Sequence, residues 1–270
     1  MKTGIKPPSV TDIRKKANMS VEEVNAFFDL LKRSMEPFSK RISVIENGTM
    51  RYYAVERRGI GILKTEHGKF WQYSFAIDDQ WEKYSVIVKA ELDKNLLIPM
   101  FNNKDQLVLR TDSGCETGQV FGDLTCECHD QLHLALKTLE EIGEGMLINI
   151  PRQDGRGMGL TFKLATLWIQ DVLGVNTVES ATLLAPGGVI DTRTYSGVIC
   201  ILKFFGISKA CRINLATNNP DKAEVFAENG YTVARYTPIV IKPNEYTETH
   251  LQTKQDYLGH KGLIKKRRQK

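Results

Sequence analysis

Residues 114–132, GCETGQVFGDLTCECHDQL, decide how this chain is organised, because they join two halves with different sequence patterns. Short β-type runs precede this segment, and alternating helix and strand patterns follow it. The segment also holds Cys115, Cys126 and Cys128 in the spacing C-x10-C-x-C. Buried free cysteines are the alternative explanation. The close spacing instead favours three thiolates that share one metal ion.

The number of thiolates indicates the kind of metal site. Structural zinc takes four closed ligands, whereas catalytic zinc takes three and leaves one position for water. The spacing therefore predicts a catalytic Zn²⁺ that activates water against an electrophile. His129 is a candidate fourth ligand, but its adjacency to Cys128 makes joint ligation sterically awkward. We interpret His133 as a partly exposed helical histidine, and Cys200 and Cys211 as core residues.

The N-terminal half has a sequence pattern typical of β-strands. Residues 40–112 contain the runs RYYAVE, GIGILKT, KFWQYSFAI, YSVIVKAEL and QLVLRT, separated by Gly, Asn and Asp. This pattern predicts a mainly antiparallel sheet. Upstream, residues 1–18 are polar and are expected to be poorly ordered. A helix is expected to begin at Ser20, which forms an S-x-x-E capping box with Glu23, and to stop at Pro37.

The C-terminal half alternates between helices and strands. Helical patterns cover residues 131–142, 159–173, 195–205 and 220–228. The runs GMLINI, RINLAT and YTVARYT read as the strands between them. The predicted fold class is therefore α/β (α+β), with a β-rich N-terminal half joined to an alternating α/β half.

Composition predicts an enzyme of the cytoplasm. No apolar run is long enough to span a bilayer, and MKTGIKPPSVTD lacks the apolar core of a signal peptide. We therefore expect no membrane partner. The net charge of +5 fits an anionic substrate and does not demand nucleic acid. The basic end GLIKKRRQK is interpreted as a solvated tail rather than as a nucleic-acid contact.

Two further segments suit the binding of anions. RQDGRGMGL, residues 152–160, follows a predicted strand and precedes a predicted helix, and Arg152 and Arg156 add positive charge to this glycine-rich turn. A tight connection is the alternative. In ATNNPDK, Asn219 is a suitable N-cap that places Thr217 and Lys222 near a second helix end. An ordinary cap is the alternative there.

Together these segments resemble GTP cyclohydrolase II, the enzyme that opens guanosine triphosphate in riboflavin synthesis. The resemblance covers about residues 59–262: CETGQVFGDLTCEC against C-x-T-G-D-x-F-x-S-x-R-C-D-C, RQDGRG against RQEGRG, TNNP, and NEYTETHLQTKQDYLGH against an N-x-x-Y-L-x-T-K-x-x-x-x-G-H pattern. It implies an N-terminal helical extension (1–55), a GTP cyclohydrolase II-like catalytic domain (56–262) and a basic tail (263–270).

The resemblance also implies the site. One Zn²⁺ per chain would be held by the three cysteines, and the substrate would be a purine nucleoside triphosphate; whether Mg²⁺ accompanies the triphosphate stays open. The family's catalytic pair falls on Asp191, a proton acceptor, and Arg193, which attacks the α-phosphorus and releases pyrophosphate. The family forms homodimers. Its substrate contacts fall on Arg110, Gln131, Asp154, Gly155, Arg156, Thr177, Thr217 and Lys222.

The chain departs from the family pattern at several positions. RTDSG replaces R-x-H-S-E, so Asp112 and Gly114 stand for a histidine and a glutamate. Asp154 is one methylene shorter than the family's glutamate, Leu167 replaces a tyrosine, and APGGVID is two residues longer. These changes leave two alternatives open: a cyclohydrolase that retains the formamidopyrimidine or takes another substrate, and a non-catalytic relative that binds nucleotide and zinc. A zinc-dependent nucleic-acid-binding protein lacks support, since no finger spacing is present.

Overall fold

The computed structural model describes residues 8–78 and 84–264. The strands there are β1 (Phe38–Glu46), β2 (Thr49–Thr65), β3 (Gly68–Ile77), β4 (Tyr84–Lys89), β5 (Glu91–Asp93), β6 (Ile98–Met100), β7 (Gln106–Ser113), β8 (Gly145–Ile150), β9 (Arg212–Ala216) and β10 (Val233–Thr237). The helices are α1 (Val10–Ala17), α2 (Val21–Met35), α3 (Cys128–Ile142), α4 (Leu160–Leu173), α5 (Thr177–Leu184), α6 (Ser196–Phe204), α7 (Glu224–Glu228) and α8 (Glu248–Tyr257). None of these helices is long and apolar enough to cross a bilayer. Most of the expected basic tail, residues 265–270, lies outside the described residues.

A single eight-stranded sheet runs through both halves in the order β1-β2-β3-β4-β8-β7-β9-β10. Strands β1 to β4 and β8 pair antiparallel, whereas β7 is parallel to β8 and β9, and β9 is parallel to β10. The α/β fold class is confirmed. The placement of QLVLRT in an antiparallel sheet is wrong: this run is β7, and the crossover through α3 returns the chain parallel to it.

Several elements differ from the sequence prediction. Helix α1 lies within the segment expected to be poorly ordered, and Ser9 and Asp12 form its capping box. The helix expected at Ser20 is present as α2, with its predicted cap. RYYAVE and GIGILKT are parts of one long strand, β2. The sequence pattern does not indicate strand β1 or helices α5 and α8, because their short or polar runs carry weak periodicity.

The N-terminal strands belong to the main core. Ile42, Val44 and Val55 are fully or nearly buried and pack in one cluster with Phe204 of α6. The boundary expected at residue 55 lies inside β2. We therefore propose that the N-terminal extension ends before β1.

Strand topology brings the chemical motifs to one edge of the sheet. Strands β7, β8 and β9 are parallel, and their carboxyl ends lead into the cysteine segment, the RQDGRG loop and the TNNP loop. Ligands of α/β sheets bind at this kind of edge. The first loop lies tightly against β8: the Gly114 amide donates to the Ile150 carbonyl at 2.8 Å. A Cβ at position 114 would lie 2.6 Å from that oxygen, so only glycine fits this backbone.

Candidate active site

The three cysteines form one compact cluster. Cys115 precedes a π-helical turn, Glu116–Val120, and Cys128 opens α3. All three sulfurs lie within 4.8 Å of one another, and those of Cys115 and Cys126 are 3.6 Å apart. Thiolates around a tetrahedral zinc lie about 3.8 Å apart, given a Zn–S bond of about 2.3 Å. The spacing of the sulfurs therefore fits a zinc ion.

Gly118 keeps the space beside this cluster open. A Cβ at that position would lie 3.0 Å from the Cys126 sulfur and 3.2 Å from the Cys115 sulfur. Any side chain would crowd two of the three sulfurs. The C-x-T-G motif therefore has a glycine at this position because only a residue without a side chain leaves room for the sulfurs.

Lys163 of α4 contacts the cluster directly, with its Nζ 2.8 Å from the Cys115 sulfur. Hydrogen bonds from Cys126 and Cys128, together with this ammonium group, hold the pKa of Cys115 far below its usual range. The hydrogen bond that Cys126 donates to Cys115, followed by burial and the charge of Cys115, raises the pKa of Cys126 to about 12. Hydrogen bonds to Cys115 and Cys126, and then burial, raise the pKa of Cys128 as well. One thiolate is therefore favoured in the protein alone, and a divalent cation is the group that stabilises all three.

The first pocket, which we call the cysteine pocket, surrounds this cluster. Four of the predicted substrate residues border it: Asp154, Gly155, Arg156 and Thr177. Asp154 accepts a hydrogen bond from the Glu116 amide at 3.0 Å, which ties the RQDGRG loop to the cysteine segment. Arg156 donates to the Thr177 hydroxyl at 3.1 Å and thereby ties the same loop to α5.

The second pocket, the Arg110 pocket, holds the remaining predicted substrate residues: Arg110, Gln131, Thr217 and Lys222. The Arg110 guanidinium donates to the Ala216 carbonyl at 3.2 Å and to Gln131 at 3.3 Å. Lys222 is buried and donates to the Thr111 carbonyl at 2.7 Å. Burial, followed by the nearby Arg110 and Arg193, lowers the pKa of Lys222. Cations gathered in this way favour an anionic ligand.

The Asp191 and Arg193 pair lies where the pockets meet. Arg193 borders the cysteine pocket, the Arg110 pocket and a third pocket that also contains Asp191. Its Nε lies 3.0 Å from one carboxylate oxygen and its Nη2 lies 2.5 Å from the other. The Thr192 amide between them donates to the Arg156 carbonyl at 2.9 Å. The structure thus brings every predicted site residue to one of three adjoining pockets, with Arg193 common to all.

Two departures from the family pattern have clear local consequences. Asp112 is almost fully buried and accepts hydrogen bonds from Arg110, Gln119 and Asn149, at 3.1, 2.7 and 2.8 Å. It therefore orients the Arg110 guanidinium, and it borders the Arg110 pocket as well. Leu167 is half-buried on α4 and borders the cysteine pocket. It lies one turn after Lys163, on the same face of the helix.

The C-terminal helix α8 covers the site, and sequence reasoning missed its role. His250, Lys254 and His260 border the cysteine pocket, and Lys254 forms a very short ion pair with Glu127. Glu127 is buried between Cys126 and Cys128. Burial alone would raise its pKa, but Lys254 and then His250 lower it to about 2. In the sequence, the L-x-T-K and G-H elements of the C-terminal motif contain Lys254 and His260, and they are the pattern that could have indicated this role.

Lys254→Met is expected to destabilise the protein by about 3–5 kcal/mol, because it removes the ammonium group that pairs with the buried Glu127 carboxylate and leaves only His250, 3.6 Å away, beside it. Urea unfolding at neutral pH measures the free energy of unfolding. Lys137→Met is the matched control: this lysine lies on the exposed face of α3, 3.8 Å from Glu141. That variant should cost less than about 1 kcal/mol. Equal losses from the two variants would contradict a buried, charge-compensating role for Lys254.

Comparison with known proteins identifies the family of this chain. The family model of GTP cyclohydrolase II matches residues 40–238. The GTP cyclohydrolase-2 of Picrophilus torridus is 35% identical over 198 residues, which cover 73% of this chain and 94% of that protein. The GTP cyclohydrolase-2 of Campylobacter hominis is 36% identical over 206 residues, which cover 76% of this chain and 95% of that protein.

Longer relatives match as well. The riboflavin biosynthesis protein RibBA of Phocaeicola vulgatus is 32% identical over 212 residues, which cover 78% of this chain and 48% of that protein. The chain thus spans about half the length of this relative and nearly the whole length of the two shorter ones. The family model covers most of the chain, and the resemblance noted in the sequence is confirmed: the chain belongs to the GTP cyclohydrolase II family.

Proposed function

We propose that this protein hydrolyses the imidazole ring of GTP and releases pyrophosphate, with one zinc ion held by Cys115, Cys126 and Cys128. The observation that carries the proposal is the three-sulfur cluster, which borders the same pocket as Arg193 and the RQDGRG loop. When bound there, zinc supplies Lewis acidity and activates water at neutral pH. Membership of the family supports GTP as the substrate.

The remaining residues bind and orient the nucleotide in this proposal. The cationic Arg110 pocket suits the phosphates, and the cysteine pocket next to it suits the base. Arg193 lies between them and can reach the α-phosphorus of a nucleotide that spans both. Its nitrogen would form the bond to phosphorus, the bond to pyrophosphate would break, and Asp191 would accept the guanidinium proton. The contact of Nε and Nη2 with both Asp191 oxygens supports that transfer.

The proposal includes three expectations that follow from the family resemblance: a homodimer, a cytoplasmic location, and a role for the protein in riboflavin biosynthesis. Relatives are named for that pathway. Whether the triphosphate carries Mg²⁺ is decided by the dependence of turnover on added Mg²⁺ at a fixed zinc content.

The direct test of the proposed activity is pyrophosphate release from GTP by the zinc-loaded protein. We expect release with GTP and little with ATP, since the two bases differ in the groups that they present to the cysteine pocket. A protein that binds GTP but forms no pyrophosphate would be the non-catalytic relative, and the proposed activity would be wrong.

The leucine at position 167 leads us to expect that the main product retains the formyl group. Ring opening leaves a formamide, and release of formate needs a second hydrolysis of this less activated group. Leu167 borders the cysteine pocket, where the family has a phenol, so a hydrogen-bonding group is missing. Such groups contribute about tens- to thousands-fold to a step. We therefore expect the wild-type protein to open the ring and to release little formate, as measured by product mass.

The matched variant for this prediction is Leu167→Tyr, which restores the phenol on the same helical face. It should increase the ratio of formate to pyrophosphate at least about tenfold. Stoichiometric formate from the wild-type protein would refute the idea and would make Leu167 a packing substitution.

A further inference from the structure

Three of the chain's five histidines, His67, His129 and His133, lie together outside the pockets described above. His67 lies in the turn between β2 and β3, and the other two lie on the first turns of α3. The His67 Nε2 is 3.1 Å from the His133 Nδ1, and a Glu66 carboxylate oxygen is also 3.1 Å from that Nδ1. Residues far apart in sequence thus bring three possible ligand atoms close together.

We propose that Glu66, His67 and His133, which we call the histidine cluster, bind a divalent transition-metal ion as a second metal site. Their donor atoms all lie within 4.8 Å of one another. Imidazole and carboxylate ligands without a thiolate suit Zn²⁺, Ni²⁺ and Cu²⁺. Without a metal, two facing imidazole nitrogens share a single hydrogen. A cation instead uses the lone pairs of both nitrogens and the charge of the carboxylate.

The turn that carries two of these ligands is held firmly against α3. The His67 amide donates to the Thr65 hydroxyl at 3.1 Å, which fixes the turn. Gly68 packs so closely on α3 that a Cβ there would meet the Glu140 carboxylate at 2.2 Å. The ring of His129 stacks on that of His133 with centroids 4.3 Å apart. The two imidazole rings are therefore positioned before a metal binds.

The cluster is open to solvent, as a site that exchanges its metal requires. The Glu66 side chain is 71% exposed, whereas that of His67 is 17% exposed. Three protein ligands leave further coordination positions for water. Because β2, β3 and α3 are joined through this ion, metal binding should stabilise the folded protein in a concentration-dependent way.

Calorimetric titration with Zn²⁺ tests this proposal. The purified full-length protein should bind one more equivalent than either His67→Gln or His133→Gln, and its melting temperature should rise as that extra equivalent binds. Glu141→Gln on the exposed surface of α3 is the matched control and should bind like the wild type. Circular dichroism confirms that each variant is folded.

Equal zinc stoichiometry in the wild type and in both histidine variants would overturn the second site. The cysteine cluster is unchanged in all of these proteins, and the measurement uses no substrate. A failure of the proposed cyclohydrolase activity would therefore leave this test unaffected. Loss of the same equivalent in both variants, with the control unchanged, would establish the histidine cluster as the ligand set.

Discussion

Cys126→Ser is expected to remove bound zinc and to abolish the turnover of GTP. The lost sulfur is 3.6 Å from the Cys115 sulfur, so its replacement opens the ligand set of the cluster. Metal ions supply several kcal/mol of transition-state stabilisation, which corresponds to a loss of about a thousandfold or more. Metal analysis of the purified variant and the rate of pyrophosphate and ring-opened product formation measure the two effects separately.

Cys211→Ser is the matched control for this prediction. Cys211 is a buried thiol that packs in the main core and does not belong to the cysteine cluster. This variant should keep one zinc per chain and near wild-type turnover. Full activity in Cys126→Ser, or in the wild-type protein after removal of all metal, would contradict the role of the cluster.

Arg193→Lys is expected to lower pyrophosphate release by about a thousandfold or more, although the positive charge is kept. Arginine holds both oxygens of Asp191 through a planar fork, and lysine cannot reproduce that geometry or the same nucleophilic nitrogen. Only 15% of the Arg193 side chain is exposed, against 39% for Asp191, which places its guanidinium toward the pockets. A pyrophosphate assay under single-turnover conditions measures the effect.

Arg235→Lys on the exposed surface of β10 serves as the control, since it also replaces an arginine by a lysine but lies away from the pockets. It should release pyrophosphate at the wild-type rate. If Arg193→Lys also did so, Arg193 would be only the structural partner of Asp191 in an ion pair of the kind common on protein surfaces.

Local structure could be predicted from sequence where periodicity was strong. Helix α4 and strand β8 lie where their patterns indicated, and Ser20 caps α2 as the S-x-x-E motif predicted. Pairing between strands depends on contacts between distant residues, which no local pattern encodes. The parallel arrangement of β7 therefore could not be found, although its apolar run was recognised.

In the candidate site, too, local motifs could be recognised in the sequence, whereas tertiary contacts could not. The cysteine cluster was predictable because its ligands are close in sequence and chemically specific. Lys163 and Lys254 were missed, since an isolated lysine on a helix is ordinarily a solvated residue. Their importance comes from tertiary contacts: one ammonium lies against the Cys115 sulfur, and the other pairs with buried Glu127. The loops of Asp191 and Arg156 likewise meet only in the folded chain.

Opening of the imidazole ring of GTP by this protein can be followed through the fate of the C8 carbon. GTP that carries ¹³C at C8 is incubated with the zinc-loaded wild-type protein and followed by NMR. We expect the label to leave the aromatic ring and to appear as a formamide, with little free formate. If the label stayed in intact guanine while zinc is bound and GTP saturates the protein, the proposed ring opening would be wrong.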